Sequence, residues 1–218
     1  MKLTLPLLPD RFLLHARIVL IIFTAVGIGG MLLFPDWFPR LTPLNLLLNA
    51  GLLIAVLPGA DVNYLRWSLL CAAAGFGIEL MGVRTGVIFG QYTYGPSLGI
   101  AAGGVPLMIA VNWWMTAVCA FALAARISSH TWVRALLGAA LMTFLDALIE
   151  PMATPLNFWY FEGGLAPLRN YVAWFGMGFF LQLMGITLSV NPRNPLAVAV
   201  FCLQALLFIV LNAVNIFS

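Results

Sequence analysis

Long apolar runs separated by short connections limit the folds that this chain can adopt. A helix that crosses a bilayer needs about 20 predominantly apolar residues. The sequence contains seven such runs, near residues 15–34, 42–58, 65–83, 105–126, 132–150, 171–190 and 196–216. The second run is the weakest, because Asn45, Asn49, Gly51 and Pro58 dilute it, so six spans are the alternative count. The sequence predicts an all-α fold, a polytopic integral membrane helical bundle of about seven transmembrane helices.

The composition supports membrane insertion and excludes several other classes of protein. Hydrophobic residues make up 63% of the 218 residues and charged residues only 8%, whereas about 25% of an average soluble domain is charged. So little charge cannot cover a soluble globule, and it also excludes a disordered chain or a secreted disulfide scaffold. Seven spans of about 20 residues leave little room for anything else. Residues 1–218 are therefore expected to form a single transmembrane helical domain.

The charged residues are scattered singly, which favours a role in membrane topology over a role in binding. No run of Lys or Arg could bind phosphates, so the formal net charge of +3 does not indicate a nucleic-acid partner. With seven spans, one side of the membrane holds Lys2, Arg11, Arg17, Arg66, Arg126, Arg134 and Arg193, and the other holds Arg40, Arg84 and Arg169. Because the cytoplasmic side carries the excess of basic residues, we predict a cytoplasmic N-terminus.

Metal and cofactor motifs are missing from the sequence. Cys71, Cys119 and Cys202 each lie inside an apolar run without CxxC spacing, which is typical of buried free thiols. No cluster of His, Cys and Asp has metal-ligand spacing, and no glycine-rich loop has the context of a phosphate-binding motif. We therefore expect no metal and no cofactor.

Three carboxylic acids lie within or at the ends of the predicted spans, where an ionised side chain costs about 2.5–3.5 kcal/mol. Glu79 lies 14 residues after Leu65, and Asp146 lies 14 residues after Trp132. At 1.5 Å per residue, both acids lie about 21 Å along helices that enter from the same side. Glu150 follows Asp146 at i+4 and shares its helix face. The three acids are therefore expected at similar depth.

Two interpretations of these acids remain open. Arg84 follows Glu79 by five residues, just beyond the span, and Pro151 is expected to end the next helix at Glu150. The first interpretation is a structural network in which Arg84 ties carboxylates on two helices together. The second is a proton-handling site, because burial and like charges favour a protonated carboxyl that can donate. The two are compatible, since Arg84 could hold one carboxylate ionised while another keeps its proton.

Two connections, 84–104 and 151–170, are rich in glycine, proline and aromatic residues, and function concentrates in such loops. Within the first, alternation places Tyr92 and Tyr94 on one side of an extended segment, close to the acids. Phenol faces can stabilise a cation, and phenol hydroxyls can position water. An interfacial belt explains the aromatic residues near the predicted span ends equally well; these are Trp113, Trp114, Trp159, Tyr160, Tyr171 and Trp174.

These motifs resemble a known family. The segment from Glu79 to Gly95 (ELMGVRTGVIFGQYTYG) is similar to the core of the carotenoid biosynthesis membrane proteins, which include carotenoid 1′,2′-hydratases and bisanhydrobacterioruberin hydratases. The resemblance continues through Asp146–Pro151 (DALIEP), Phe158-Trp159 and Asn170–Trp174 (NYVAW) and covers roughly residues 75–185. It implies a cofactor-independent hydratase in the plasma (inner) membrane of a prokaryote. The implied partners are a lipophilic carotenoid, water, the bilayer, and either a second copy of the chain or other carotenoid enzymes.

The reaction that the resemblance implies is hydration of the terminal C1′–C2′ double bond of an acyclic ψ end group, as in γ-carotene, lycopene or a bisanhydrobacterioruberin-like polyene. Protonation at C2′ leaves a tertiary cation at C1′, and water adds there. The implied catalytic residues are Glu79, Asp146, Glu150, Arg84, Tyr92 and Tyr94, with the acids as proton donor and water-orienting base. The implied substrate-binding residues are Trp113, Phe158, Trp159, Asn170 and Trp174.

Other functions make different demands on the sequence. A carotenoid end-group cyclase uses the same protonation but quenches the cation with an internal alkene. A proton-coupled transporter also needs buried carboxylates, but it would usually show repeats or broken helices. A retinal Schiff base needs a lysine inside a span, and the only lysine is Lys2. The cyclase is therefore the nearest alternative, and the transporter is the alternative from a different class.

Overall fold

Seven α-helices account for most of the chain in the computed structural model, which describes residues 10–57 and 61–216. They are α1 (Asp10–Leu33), α2 (Thr42–Ala55), α3 (Val62–Thr85), α4 (Met108–Ile127), α5 (Thr131–Ala153), α6 (Leu168–Thr187) and α7 (Ala197–Ile216). A 3-10 turn, Phe38–Leu41, leads directly into α2. The predicted all-α bundle is confirmed, while Lys2 and Pro58, used above for orientation and for the second run, lie outside the described residues.

Six segments of the described chain are long and apolar enough to cross a membrane, which makes this a multi-pass helical membrane protein. They are Arg11–Leu33, Phe38–Ala55, Val62–Thr85, Met108–Ile127, Thr131–Ala153 and Ala197–Val214. Helix α6 is not among these segments. The second apolar run, which the sequence predicts to be the weakest span, is among them. Polar residues of α6 face the bundle: Gln182 is fully buried and its amide donates to the Ala117 carbonyl of α4 at 3.1 Å.

Helix α4 lies at the centre of the bundle and packs against α2, α3, α5, α6 and α7. Close packing of α3 on α4 depends on Gly75, where an added Cβ would lie only 2.3 Å from Cγ of Trp113. Small residues allow membrane helices to approach in this way. Because Gly75 lies one turn before Glu79, the same approach brings the Trp113 indole to the Glu79 carboxylate.

The local sequence sets both ends of α3. The Asp61 carboxylate caps its first turn by accepting a hydrogen bond from the Tyr64 amide at 2.8 Å, as N-cap side chains do. Gly86 ends the helix with φ of 66°, a left-handed conformation that favours glycine. The chain then leaves α3 at the end of the bundle where the long loops lie.

Two of those loops pair with each other. Strand β1 (Tyr92–Tyr94) runs antiparallel to β4 (Trp159–Phe161), with Tyr92 opposite Phe161 and Tyr94 opposite Trp159. Two shorter strands, β2 (Ala101–Ala102) and β3 (Val105–Pro106), pair within the first loop. The sequence did not predict these strands, and their pairing fixes the two aromatic segments relative to the helices.

Two local expectations are wrong. Helix α5 continues through Pro151 to Ala153, and the turn beyond is held by a hydrogen bond from the Phe158 amide to the Ala153 carbonyl at 2.8 Å. Pro151 has no N–H to donate to the carbonyl four residues earlier, so the last turn of α5 continues without that hydrogen bond. Cys71 and Cys119 are buried as expected, but Cys202 is exposed.

Candidate active site

Glu79 is buried near the loop end of α3 and accepts hydrogen bonds on both carboxylate oxygens. The Tyr92 hydroxyl donates to Oε2 at 2.5 Å, and the Tyr94 hydroxyl donates to the same atom at 2.8 Å. The Trp113 indole donates to Oε1 at 3.0 Å. Only 5% of the residue's surface is exposed. Three donors around one buried carboxylate form a site for a negative charge, since hydrogen bonds to the charged form favour it.

The two tyrosines reach Glu79 because β1 alternates its side chains. Tyr92 and Tyr94 point to the acid, while Thr93 between them is exposed. The predicted placement of both phenols beside the acids is confirmed. Burial, and then the charge of Glu79, raises the pKa of Tyr92 and the pKa of Tyr94 above the usual tyrosine value. Both phenols therefore keep their protons and act as donors.

Asp146 and Glu150 lie on one face of α5 and share a single partner from α6. The Asn170 side-chain amide donates to Oδ2 of Asp146 at 2.9 Å and to Oε1 of Glu150 at 3.1 Å. The Trp159 indole of β4 donates to Oε2 of Glu150 at 3.1 Å. The expected common face of the two acids is confirmed, and the Asn170 amide joins them.

The three acids differ in how many of their carboxylate oxygens accept hydrogen bonds. Glu79 and Glu150 each accept donors on both carboxylate oxygens. Within the described chain, Asp146 accepts a side-chain donor on Oδ2 alone, and 2% of its surface is exposed. Asp146 therefore has one carboxylate oxygen without a protein donor.

The three acids line one pocket with about 340 Å³ of empty space. Trp113 and Trp174 stack beside it, with ring centroids 3.8 Å apart and planes 9° apart. The pocket is lined by Glu79, Phe89, Tyr92, Tyr94, Ile109, Asn112, Trp113, Asp146, Glu150, Trp159, Phe161, Asn170 and Trp174. The structure thus brings acids, aromatic faces and a small enclosed space together.

Within residues 10–57 and 61–216, no group of three or more His, Cys, Asp or Glu side chains is arranged to hold a metal ion.

The family follows from comparison with known proteins. Residues 43–217 match the family of carotenoid biosynthesis proteins. The chain belongs to the carotenoid biosynthesis protein family. The match covers most of the bundle and all of the residues that line the acid pocket.

A curated relative of this carotenoid biosynthesis protein is the bisanhydrobacterioruberin hydratase of Haloarcula japonica, which is 32% identical over 117 residues. The aligned segment makes up 50% of this chain and 40% of the relative. The similarity therefore spans less than half of the relative's length. No solved structure matches this chain.

Arg84 is the one predicted catalytic residue of this family member that the structure does not bring to the acids. Its side chain is exposed, and the donors to the acids are instead Tyr92, Tyr94, Trp113, Trp159 and Asn170. The expected Arg84–carboxylate contact is wrong for a geometric reason. Five residues along a helix of 3.6 residues per turn rotate a side chain about 140° away from its starting face.

Two further differences concern the pocket wall. Phe158 is buried, but it lines a neighbouring cavity and not the acid pocket. Asn112 lines both spaces, yet sequence reasoning missed it. Its position directly before Trp113, on the helix that faces the acids, was the available signal.

Proposed function

We propose that this carotenoid biosynthesis protein is a hydratase that adds water across the terminal C1′–C2′ double bond of an acyclic ψ end group. One observation carries the proposal: three acids share one aromatic pocket, with Glu79 and Asp146 buried and Glu150 half-buried, and within the described chain only Asp146 has a carboxylate oxygen free of protein donors. The similarity to the bisanhydrobacterioruberin hydratase of Haloarcula japonica supports hydration chemistry.

Asp146 is the proton donor in this proposal. Glu79 and Glu150 are held as carboxylates by donors on both oxygens, so the remaining proton belongs to Asp146. Its second oxygen can deliver that proton to C2′ of the alkene. The π electrons of the double bond form the new C–H bond, and C1′ becomes a tertiary cation.

Glu79 and the aromatic side chains stabilise this cation. A fixed carboxylate placed before the reaction lowers the energy of a positive charge that develops in a site with little water. The rings of Trp159 and Trp174, which line the same pocket, offer faces to the cation. The phenols of Tyr92 and Tyr94 hold the Glu79 carboxylate in place during the reaction.

Glu150 is the base that orients and deprotonates the attacking water. An oxygen lone pair of the water forms the C–O bond at C1′, and Glu150 takes the released proton. Asp146 and Glu150 share the Asn170 amide, so a proton passed from Glu150 to Asp146 restores the starting state. In the net reaction, one alkene and one water give one tertiary alcohol, and the reaction consumes no oxidant, reductant or cofactor.

The experiment is expression in cells that make lycopene or γ-carotene, followed by mass analysis of the extracted pigments. Hydration predicts a pigment heavier by one water. A ring-bearing pigment of unchanged mass would identify a cyclase, and unchanged pigments in every host would favour transport. A matched pair of variants, Asp146→Asn in the pocket and Glu162→Gln on the exposed part of the loop, separates loss of the acid from poor expression.

A further inference from the structure

A second cavity, with about 770 Å³ of empty space, lies beside the acid pocket among α1, α2, α4, α5 and α7. Ile109, Asn112 and Trp159 line both the acid pocket and this cavity. A ligand whose end occupies the acid pocket can therefore extend past these three residues into the larger space.

The wall of this second cavity contains six neutral polar side chains. They are Thr24, Thr42, Asn45, Asn49, Asn112 and Gln204, and no charged residue of the described chain lines the cavity. A plain hydrocarbon makes no hydrogen bonds with such groups, and polar side chains within membrane helices are costly unless they find a hydrogen-bond partner. We call these six residues the amide cluster.

Several atoms of the amide cluster have no protein partner in the described chain. Oγ1 of Thr42 and Oε1 of Gln204 are shielded from solvent and unpaired. Asn112 takes part in none of the side-chain hydrogen bonds of the structure, whereas Asn49 donates to Asn45 at 2.6 Å. Unpaired buried polar groups are costly, so a ligand that supplies their hydrogen bonds would be favoured there.

The cavity also has a route towards the membrane. A third, mainly apolar space between α1, the 3-10 turn and α2 shares Met31, Thr42 and Asn45 with it. Exposed Phe23 and Leu44 on the outer surface of the bundle line that third space. A polyene too long for the interior can leave between α1 and α2.

We propose that the amide cluster is a second substrate subsite, which binds a neutral oxygen group, a hydroxyl or carbonyl, carried by the polyene away from the reacting alkene. This inference rests on the proposed function, because it places the alkene in the acid pocket. Amides both donate and accept hydrogen bonds, which suits a hydroxyl and does not suit an ion. The substrate class is therefore an oxygenated acyclic isoprenoid.

The probes are acyclic isoprenoid alcohols, namely geraniol, farnesol and geranylgeraniol, each paired with the hydrocarbon of equal length that lacks the hydroxyl. All carry the same dimethyl-terminated alkene as a ψ end, and the series moves the hydroxyl stepwise away from it. Binding to the purified full-length protein in lipid nanodiscs is followed by tryptophan fluorescence, since Trp159 lines both cavities. At one chain length, the alcohol is expected to bind at least about tenfold more tightly than its hydrocarbon.

The variants are Gln204→Leu and Asn45→Leu, with Leu203→Met as a cavity-lining control that changes no polar group. Both polar variants should abolish the preference for the alcohol and leave hydrocarbon binding unchanged, and the control should keep the preference. Equal binding of alcohol and hydrocarbon by the wild type would overturn the subsite. An equal loss for both probes in the polar variants would also overturn it, because the cluster would then be structural or would hold water.

Binding needs no turnover, so the two proposals fail separately. A wild type that prefers the alcohols but hydrates no polyene retains the subsite and loses the hydratase assignment. A wild type that hydrates lycopene but shows no preference for the alcohols retains the hydratase assignment and loses the subsite.

Discussion

The Trp113 indole donates a hydrogen bond to Oε1 of Glu79 at 3.0 Å and so connects α4 to α3 in the interior of the bundle. An indole N–H can only donate, so this contact requires an acceptor on Glu79. Tyr92 and Tyr94 add two more donors on the other oxygen. With the phenols oriented as donors, the arrangement needs an acceptor at both oxygens of Glu79, which a carboxylate provides.

Replacing Glu79 with Gln should therefore damage both stability and activity. The amide oxygen can still accept from Trp113, but the Tyr92 and Tyr94 hydroxyls lose their charged acceptor and must turn to accept from the new N–H groups. Hydrogen bonds to a charged group are worth about 1.5–3 kcal/mol each. We expect a lower thermal unfolding midpoint and at least about a hundredfold loss of product formation. Unfolding of the purified protein and pigment analysis measure the two effects. A Glu79→Gln variant with wild-type stability would show that the three donors do not require a charge.

Asp146→Asn should separate activity from stability. Asparagine keeps the shape of the side chain and can still accept from Asn170 through its oxygen, but it has no acidic proton. The proposed mechanism predicts a loss of rate of about 10²–10⁴, with an unfolding midpoint close to that of the wild type. Glu162→Gln is the matched control and should keep full activity. Full activity in Asp146→Asn would exclude this residue as the donor.

Asn170→Ala tests whether the shared amide positions the two acids of α5. The change removes hydrogen bonds to both Asp146 and Glu150, and the bond to the charged Glu150 carboxylate is worth about 1.5–3 kcal/mol. We expect kcat to fall much more than KM rises, because the substrate still fits while the acids lose their alignment. A change in KM alone, measured by steady-state assay in nanodiscs, would instead indicate a contact with substrate only.

The stability of the protein should depend on pH through the tyrosines that face Glu79. The pKa of Tyr92 and of Tyr94 is higher in the folded chain than in the unfolded chain, where it is about 10. A raised folded pKa contributes stability that is complete below the unfolded pKa and is lost as the pH rises through the folded value. The unfolding midpoint should therefore fall as the pH is raised above about 10.

Variants identify the tyrosines responsible for this loss. Tyr92→Phe and Tyr94→Phe should each weaken the alkaline loss of stability, because each variant removes one of the phenols that donate to Glu79. Phenolate absorbance is recorded for the wild type and for each variant during the same titration, and the comparison shows which phenols ionise late. If all tyrosines ionised together near pH 10 in the folded protein, the proposed burial of the two phenols beside Glu79 would be wrong.

The sequence was sufficient to predict contacts that depend on local periodicity. The i+4 spacing brought Asp146 and Glu150 to one face, and alternation along β1 brought Tyr92 and Tyr94 to Glu79. Contacts between distant segments were not predictable in this way. The pairing of β1 with β4 and the reach of Asn170 across to α5 depend on tertiary packing, which leaves no periodic signal in one chain.

The prediction of a contact from charge alone was wrong for Arg84. Arg84 suggested an ion pair because it is close in sequence to Glu79, but the helical rotation turns it to the exposed side. Neutral residues carry the contacts that were expected of it. Asn170 and Trp159 bind the acids of α5, and Asn112 connects the acid pocket to the second cavity.

The most direct measurement labels the hydrogen and the oxygen of water in separate experiments. Purified protein in nanodiscs is incubated with lycopene in deuterated water and, separately, in water labelled with heavy oxygen, and the products are analysed by mass spectrometry and NMR. The account predicts a tertiary alcohol with the labelled oxygen at C1′ and one non-exchangeable deuterium at C2′. A cyclic isomer without labelled oxygen, or an alcohol without deuterium at C2′, would contradict it.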